Sequence, residues 1–170
     1  AWCWKAGGAA VSNSDGSITT QVSANQEAGF SIVTYTGNGT NGATIGHGLG
    51  KAPAMRFGRA TSDIGTVGSA GAHWTWNHQS LTNGMNGGSS AGTVFINLTQ
   101  AEETNNHGAI GAVSSTTATL SDGSSGSAPR PHVNESGETY VQYFWAEIPG
   151  YSKFGKYTAN ASADGSYIHL

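Results

Sequence analysis

Charge is scarce in this chain. Lys and Arg number 7 and Asp and Glu 10 among 170 residues, so charged side chains make up 10 %, against roughly 25 % in an ordinary soluble domain. The formal net charge is −3, and no basic cluster is present, so nucleic acid is not expected as a partner. Good helix formers are sparse as well, Leu, Lys and Glu above all, which argues against a helical fold. No apolar run approaches the ~20 residues of a membrane span, so no membrane insertion is expected. No secretory signal is visible. Cys3 is the only cysteine, which excludes an intrachain disulfide and the small oxidised scaffolds that depend on one. Synthesis in a reducing cytosol fits this, and Cys3 reads as a small apolar side chain inside the fold. The chain opens on Ala1, as expected of a piece of a longer product.

What is abundant is turn and strand material. There are 26 Gly, 20 Ser, 18 Thr and 12 Asn. Asn-Gly pairs stand at 38–39, 41–42, 83–84 and 86–87, and Asp-Gly pairs at 15–16, 122–123 and 164–165; both favour tight hairpin turns. Between them lie short apolar or alternating runs: SITTQV, GFSIVTYT, AMRFGRA, HWTWNH, TVFINL, TTATL, ETYVQYFWAEI and SKFGKYT. The expectation is an all-β fold, an antiparallel β-sandwich of jelly-roll type, with about eight to ten short strands and few or no helices. ETYVQYFWAEI is apolar on both faces, with Tyr140 and Phe144 on one and Val141, Tyr143 and Trp145 on the other, so it belongs in the centre, covered on both sides. The polar stretch 121–137 reads as a surface loop.

The two ends echo each other. AGFSIVTYTGNGT (28–40) resembles PGYSKFGKYTANAS (149–162): Gly29 aligns with Gly150, Phe30 with Tyr151 and Ser31 with Ser152. After one inserted residue, Tyr35 aligns with Tyr157, Asn38 with Asn160 and Thr40 with Ser162. AWCWKAGG (1–8) likewise lines up with YFWAEIPG (143–150). The expected organisation is one sandwich repeat over 1–148, with an extra hairpin near 9–28, and the start of a following repeat over 149–170, packed on the first.

Few motifs carry chemistry. TIGHGLGKAP (44–53) is rich in glycine, but Ala52 and Pro53 follow where a phosphate loop needs a helix start; it reads as a tight connection in which His47 caps a backbone group. The six histidines form neither His-x-His nor His-x-x-x-His, and His73 and His78, five apart, fall on opposite faces of a strand. No metal is expected within one chain, although a three-fold axis offers a place where one histidine per subunit could meet. Asp15, Asp63, Asp122 and Asp164 read as turn-stabilising residues. No pair of carboxylates at the spacing of a glycosidase is readable, and GSSGS (123–127) lacks the second glycine of a nucleophile elbow. No catalytic residue, metal or cofactor is therefore expected.

HWTWNH (73–78) holds two tryptophans and two histidines. Alternation puts Trp74, Trp76 and His78 on one face and His73, Thr75 and Asn77 on the other. The aromatic face is expected to pack inward, with His78 bonding a neighbouring loop. Trp74, Trp76, His78, Phe144 and Trp145 form the expected core. Receptor-facing chemistry is expected in the loop from Leu81 to Gly92, with Asn83, Asn86 and His107 as candidate contacts to a glycan or receptor.

The ordered set AGFSIVTYTGNG, GHGLG, HWTWNHQSL, VFINLTQAEE and GYSKFGKYTANASADG resembles a domain of unknown function found, often in tandem, in tail-fibre and other structural proteins of tailed bacteriophages, notably marine and cyanobacterial ones. The resemblance covers nearly the whole chain. It departs after Pro53, where AMRFGRA replaces the Ile-, Val- and Lys-containing run of relatives. It implies a non-enzymatic structural or adhesive module of a tail fibre or related virion appendage, made in the host cytoplasm. Implied partners are copies of itself, as a homotrimer or higher assembly, other virion proteins and host cell-surface polysaccharide. A carbohydrate-binding module at a fibre tip and a subunit of a self-assembling extracellular or capsid-decorating filament are the alternatives.

Overall fold

The computed structural model describes residues 3–62, 73–104, 109–121 and 132–165. The fold is all-β and sandwich-like, with two antiparallel sheets. Ten strands appear among the described residues: β1 (Val11–Asn13), β2 (Thr20–Asn25), β3 (Phe30–Thr36), β4 (Thr44–Gly46), β5 (Met55–Ala60), β6 (Thr75–His78), β7 (Val94–Phe95), β8 (Ala109–Val113), β9 (Thr117–Ser121) and β10 (Thr139–Trp145). The large sheet runs β1-β2-β3-β10-β5-β6-β7 and the small one β4-β9-β8.

β10 is the central strand. It pairs with β3 from Thr139↔Thr36 to Trp145↔Phe30 and with β5 from Tyr140↔Ala60 to Trp145↔Met55. Its period of two sends Tyr140, Gln142 and Phe144 inward, all buried. The small sheet covers this inner face on one side, so that Val22, Val33, Tyr35, Tyr140 and Phe144 share a core with Ile45, Ile110, Ala118 and Leu120.

The other half of the inner face, under β5 and β6, is polar. Arg56, Thr75 and Asn77 have no exposed surface. Arg56 Nη1 donates to the Thr75 carbonyl (3.0 Å) and to Thr75 Oγ1 (2.5 Å). Asn77 Nδ2 donates to the Gly92 carbonyl (2.8 Å) and to Thr93 Oγ1 (2.9 Å). Loop backbone covers this half, and its carbonyls need donors once they are buried. This reverses the expected orientation of HWTWNH. Thr75 and Asn77 point in, while Trp74 and Trp76 are half-buried on the outer face. His78, on the same outer row, is buried and accepts the Ser80 N–H through Nδ1 (2.9 Å).

Three further expectations change. Cys3 is exposed, because the segment before β1 lies on the outside of the sheet. His132, Val133 and Asn134 are buried, so the described part of 121–137 is a surface loop only at its end, where Ser136 and Gly137 are exposed: Tyr35 Oη donates to the Val133 carbonyl (2.6 Å), and Asn134 Nδ2 donates to the Thr40 carbonyl (2.8 Å). SKFGKYT forms none of the described strands; Ser152 makes an isolated bridge to Ile148.

His47, just after β4, is fully buried. The Leu49 N–H donates to its Nδ1 (3.2 Å), and its Nε2 lies 3.3 Å from the Ser114 carbonyl, an arrangement that requires the neutral ring with hydrogen on Nε2. Burial lowers its pKa from 6.5, and burial also lowers that of His78. The unfolded chain then binds protons that the folded chain refuses. Stability is full above pH 6.5 and falls as the pH drops below it, until the lowered folded values are reached, at up to about 1.4 kcal/mol per pH unit for each group. Thermal midpoints measured from pH 8 to 5 should therefore be flat and then decline. His47→Asn, which keeps an acceptor for the Leu49 N–H without a titrating ring, should make that decline shallower; an unchanged profile would remove His47 from the account.

Candidate functional site

The outer face of the large sheet is lined with rings. Period-two alternation brings Phe30 from β3, Tyr143 and Trp145 from β10 and Phe57 from β5 onto one surface. Trp74, just ahead of β6, joins them. Phe30 and Trp145 have ring centroids 4.9 Å apart, Phe57 and Trp145 5.0 Å, Phe57 and Tyr143 5.5 Å, and Phe57 and Trp74 5.9 Å. These are tilted and edge-on contacts of the kind aromatic quadrupoles favour. Trp4 closes one side, edge-on to Trp145 at 5.6 Å, yet remains 53 % exposed. The Arg59 guanidinium lies 5.6 Å from the Trp74 ring centroid, within cation–π range.

The face ends in a cleft of about 600 Å³ whose walls include Met55, Trp76, His78, Glu102, Lys153 and Phe154. Trp76 and Met55 come from adjacent strands. The far wall is the segment after β10, fastened by two residues distant in sequence. Gln79 Nε2 donates to Glu147 Oε1 (2.8 Å) and to the Phe154 carbonyl (2.8 Å), and the Phe154 N–H donates to the same Glu147 oxygen (3.0 Å). The Phe154 N–H, helped by Gln79, Lys153 and His78, holds the Glu147 carboxyl below the usual carboxylate range. Glu147 is thus an anchoring anion, not a proton carrier near neutral pH. On the opposite wall Glu102 Oε1 accepts the Thr82 N–H (2.6 Å), while Lys153 and Lys156 are exposed at the rim. The cleft offers an indole face, hydroxyls from Ser80 and Thr82, and charged groups of both signs.

Asn83 braces its own loop, and Asn86 ties that loop to β8. Asn83, at φ +59°, donates from Nδ2 to the Ser90 carbonyl (2.9 Å), and Asn86 Oδ1 accepts the Val113 N–H (2.9 Å). His107 lies outside the described residues. Phe144 is fully buried and Trp145 nearly so, on opposite faces of β10. Of the residues singled out in the sequence, Trp76 and His78 share the cleft and Trp74 and Trp145 the ring-lined face; Glu102, Lys153 and Phe154 were not anticipated.

A Gly-x-Ser-x-Gly pattern does occur over 88–92. No strand leads into it. Ser90 ends a single 3-10 turn (Gly88–Ser90), its N–H bonded to the Gly87 carbonyl (3.0 Å), which is not the strand–turn–helix setting of a nucleophile elbow. Among the described residues no group of three or more His, Cys, Asp or Glu is placed to hold a metal ion.

No curated protein and no solved structure matches the chain. A family model does match, over residues 1–170, and the chain belongs to the family it describes, Domain of unknown function (DUF7483).

Proposed function

We propose that the chain is a non-catalytic structural and adhesive module of a tail fibre or related virion appendage of a tailed bacteriophage, and that it contacts host cell-surface polysaccharide. The observation that carries this reading is the ring-lined outer face running into the Trp76 cleft. A half-exposed indole presents a flat apolar surface to the C–H face of a sugar, and the hydroxyls, Glu102 and Lys153 around it supply hydrogen bonds to sugar hydroxyls. The low charge and the resemblance of the ordered motifs to a domain of phage structural proteins support the same reading. The carbohydrate-binding alternative is the fibre-tip version of this role.

Purified chain on an array of bacterial polysaccharides should bind a subset of them. Trp76→Ala should weaken that binding about tenfold or more, the loss expected for an aromatic platform, with a cooperative melting transition retained to show that the variant is folded. Antibody raised against the chain should label tail appendages of intact virions. Absence from virions would defeat the virion reading, and binding that survives Trp76→Ala unchanged would move the contact elsewhere.

A further inference from the structure

The Trp76 cleft carries charge of a sign opposite to that of the chain. Lys and Arg number 7 among 170 residues, and the formal net charge is −3. Two of those seven cations, Lys153 and Lys156, stand on the walls of this one cleft, against a single carboxylate, Glu102. His78 is uncharged at neutral pH, because burial lowers its pKa from 6.5. Glu147 lies behind the wall and tempers the Lys153 charge, but its Oε1 is taken up by the Phe154 N–H and by Gln79. The walls themselves are net positive in a chain that is acidic overall.

Both signs are held in place. Phe154 is pinned through its carbonyl by Gln79 Nε2 (2.8 Å) and through its N–H by Glu147 Oε1 (3.0 Å). The backbone that carries Lys153 before it and Lys156 after it is thereby fixed, while both lysines stay exposed. On the opposite wall the Thr82 N–H donates to Glu102 Oε1 (2.6 Å). Gly92 leaves room for that oxygen, since a Cβ there would lie 2.0 Å from it. Trp76 lines the same cleft and is half-buried.

We infer that the saccharide taken in this cleft is acidic: a sugar bearing a carboxylate or sulfate group stacks on Trp76, with its anion toward Lys153 and Lys156 and its hydroxyls toward Glu102. This rests on the polysaccharide reading above and narrows it to one chemical class. Unlike charges on the two walls orient the sugar. An anion on the Glu102 side is repelled, whereas a hydroxyl there donates to the carboxylate. Exposed ammonium groups are hydrated and screened, so the lysines supply selectivity and the indole most of the affinity.

A polysaccharide array tests it. The array carries alginate and hyaluronate, each native and with its carboxyl groups reduced to alcohols, dextran sulfate beside dextran, and neutral bacterial polysaccharides. The chain should bind acidic members about three- to tenfold more tightly than their uncharged counterparts, the range for two exposed ion pairs. Weaker binding after carboxyl reduction identifies a carboxylate, and preference for dextran sulfate over dextran a sulfate. Raising the salt concentration should erase the preference. The double variant Lys153→Gln, Lys156→Gln should keep a cooperative melting transition, because both positions are exposed, and should bind charged and uncharged members alike. Equal binding of the two by the wild type, or binding of neutral members only, overturns the inference and leaves the polysaccharide reading standing. A preference that survives high salt or the double substitution also overturns it. Binding to no member of the array overturns both.

Discussion

Phe144→Ala should lower the free energy of unfolding by about 3–5 kcal/mol, the range for a large aromatic removed from a packed core. Phe144 has no exposed surface and sits on the strand hydrogen-bonded on both sides, opposite Ser31 of β3 and Arg56 of β5. The His47 ring lies against it, centroids 5.6 Å apart. Ser31 is too small to fill the space the ring leaves, and β10 cannot move inward without breaking two ladders. The cavity therefore stays open, which places the cost in the upper part of the usual range. Urea unfolding should show a lower midpoint at an unchanged slope. A loss below about 1 kcal/mol would mean that the core closes around the gap.

Arg56→Ala should also be damaging, by about 2–5 kcal/mol, from the cavity left by a long buried side chain and the loss of its hydrogen bonds to Thr75. The guanidinium is fully buried, and burial pushes its pKa down to about 10, so it remains charged at neutral pH. Its removal leaves the buried Thr75 carbonyl and hydroxyl without that donor and empties the volume of a long side chain. Arg56→Met separates the two effects. It restores most of the volume but not the hydrogen bonds and should cost about 1–3 kcal/mol. Equal losses for the two variants would assign the whole effect to hydrogen bonding.

The all-β class and the central strand were legible because ETYVQYFWAEI is apolar on both faces, a pattern only a strand covered on both sides requires. β4 and β8 were not legible. TIG and AIGAV are too short and too rich in glycine and alanine to show alternation, and they become strands by pairing with β9. Alternation in HWTWNH correctly divided two faces but not inside from outside. That choice was made by Arg56 and by loop carbonyls that need Thr75 and Asn77 beneath the sheet. The cleft was hidden for a different reason. Trp76 and Phe154 meet because Gln79 bonds across 75 residues to the Phe154 carbonyl, and no local spacing announces such a bond.

The position of β10 also governs how the chain reaches its fold. β3 and β5 flank it on either side and are not hydrogen-bonded to each other; the slot between them is filled by residues 139–145. A ribosome must therefore release residues 139–145 before the large sheet can close. Until then two strands present open edges to solvent. Such long-range closure is slow, on the order of milliseconds to seconds, and the waiting intermediate is one that would aggregate or recruit chaperones. Yield in a heterologous host should thus depend on expression temperature and on chaperone supply, even though the finished sheet is densely paired.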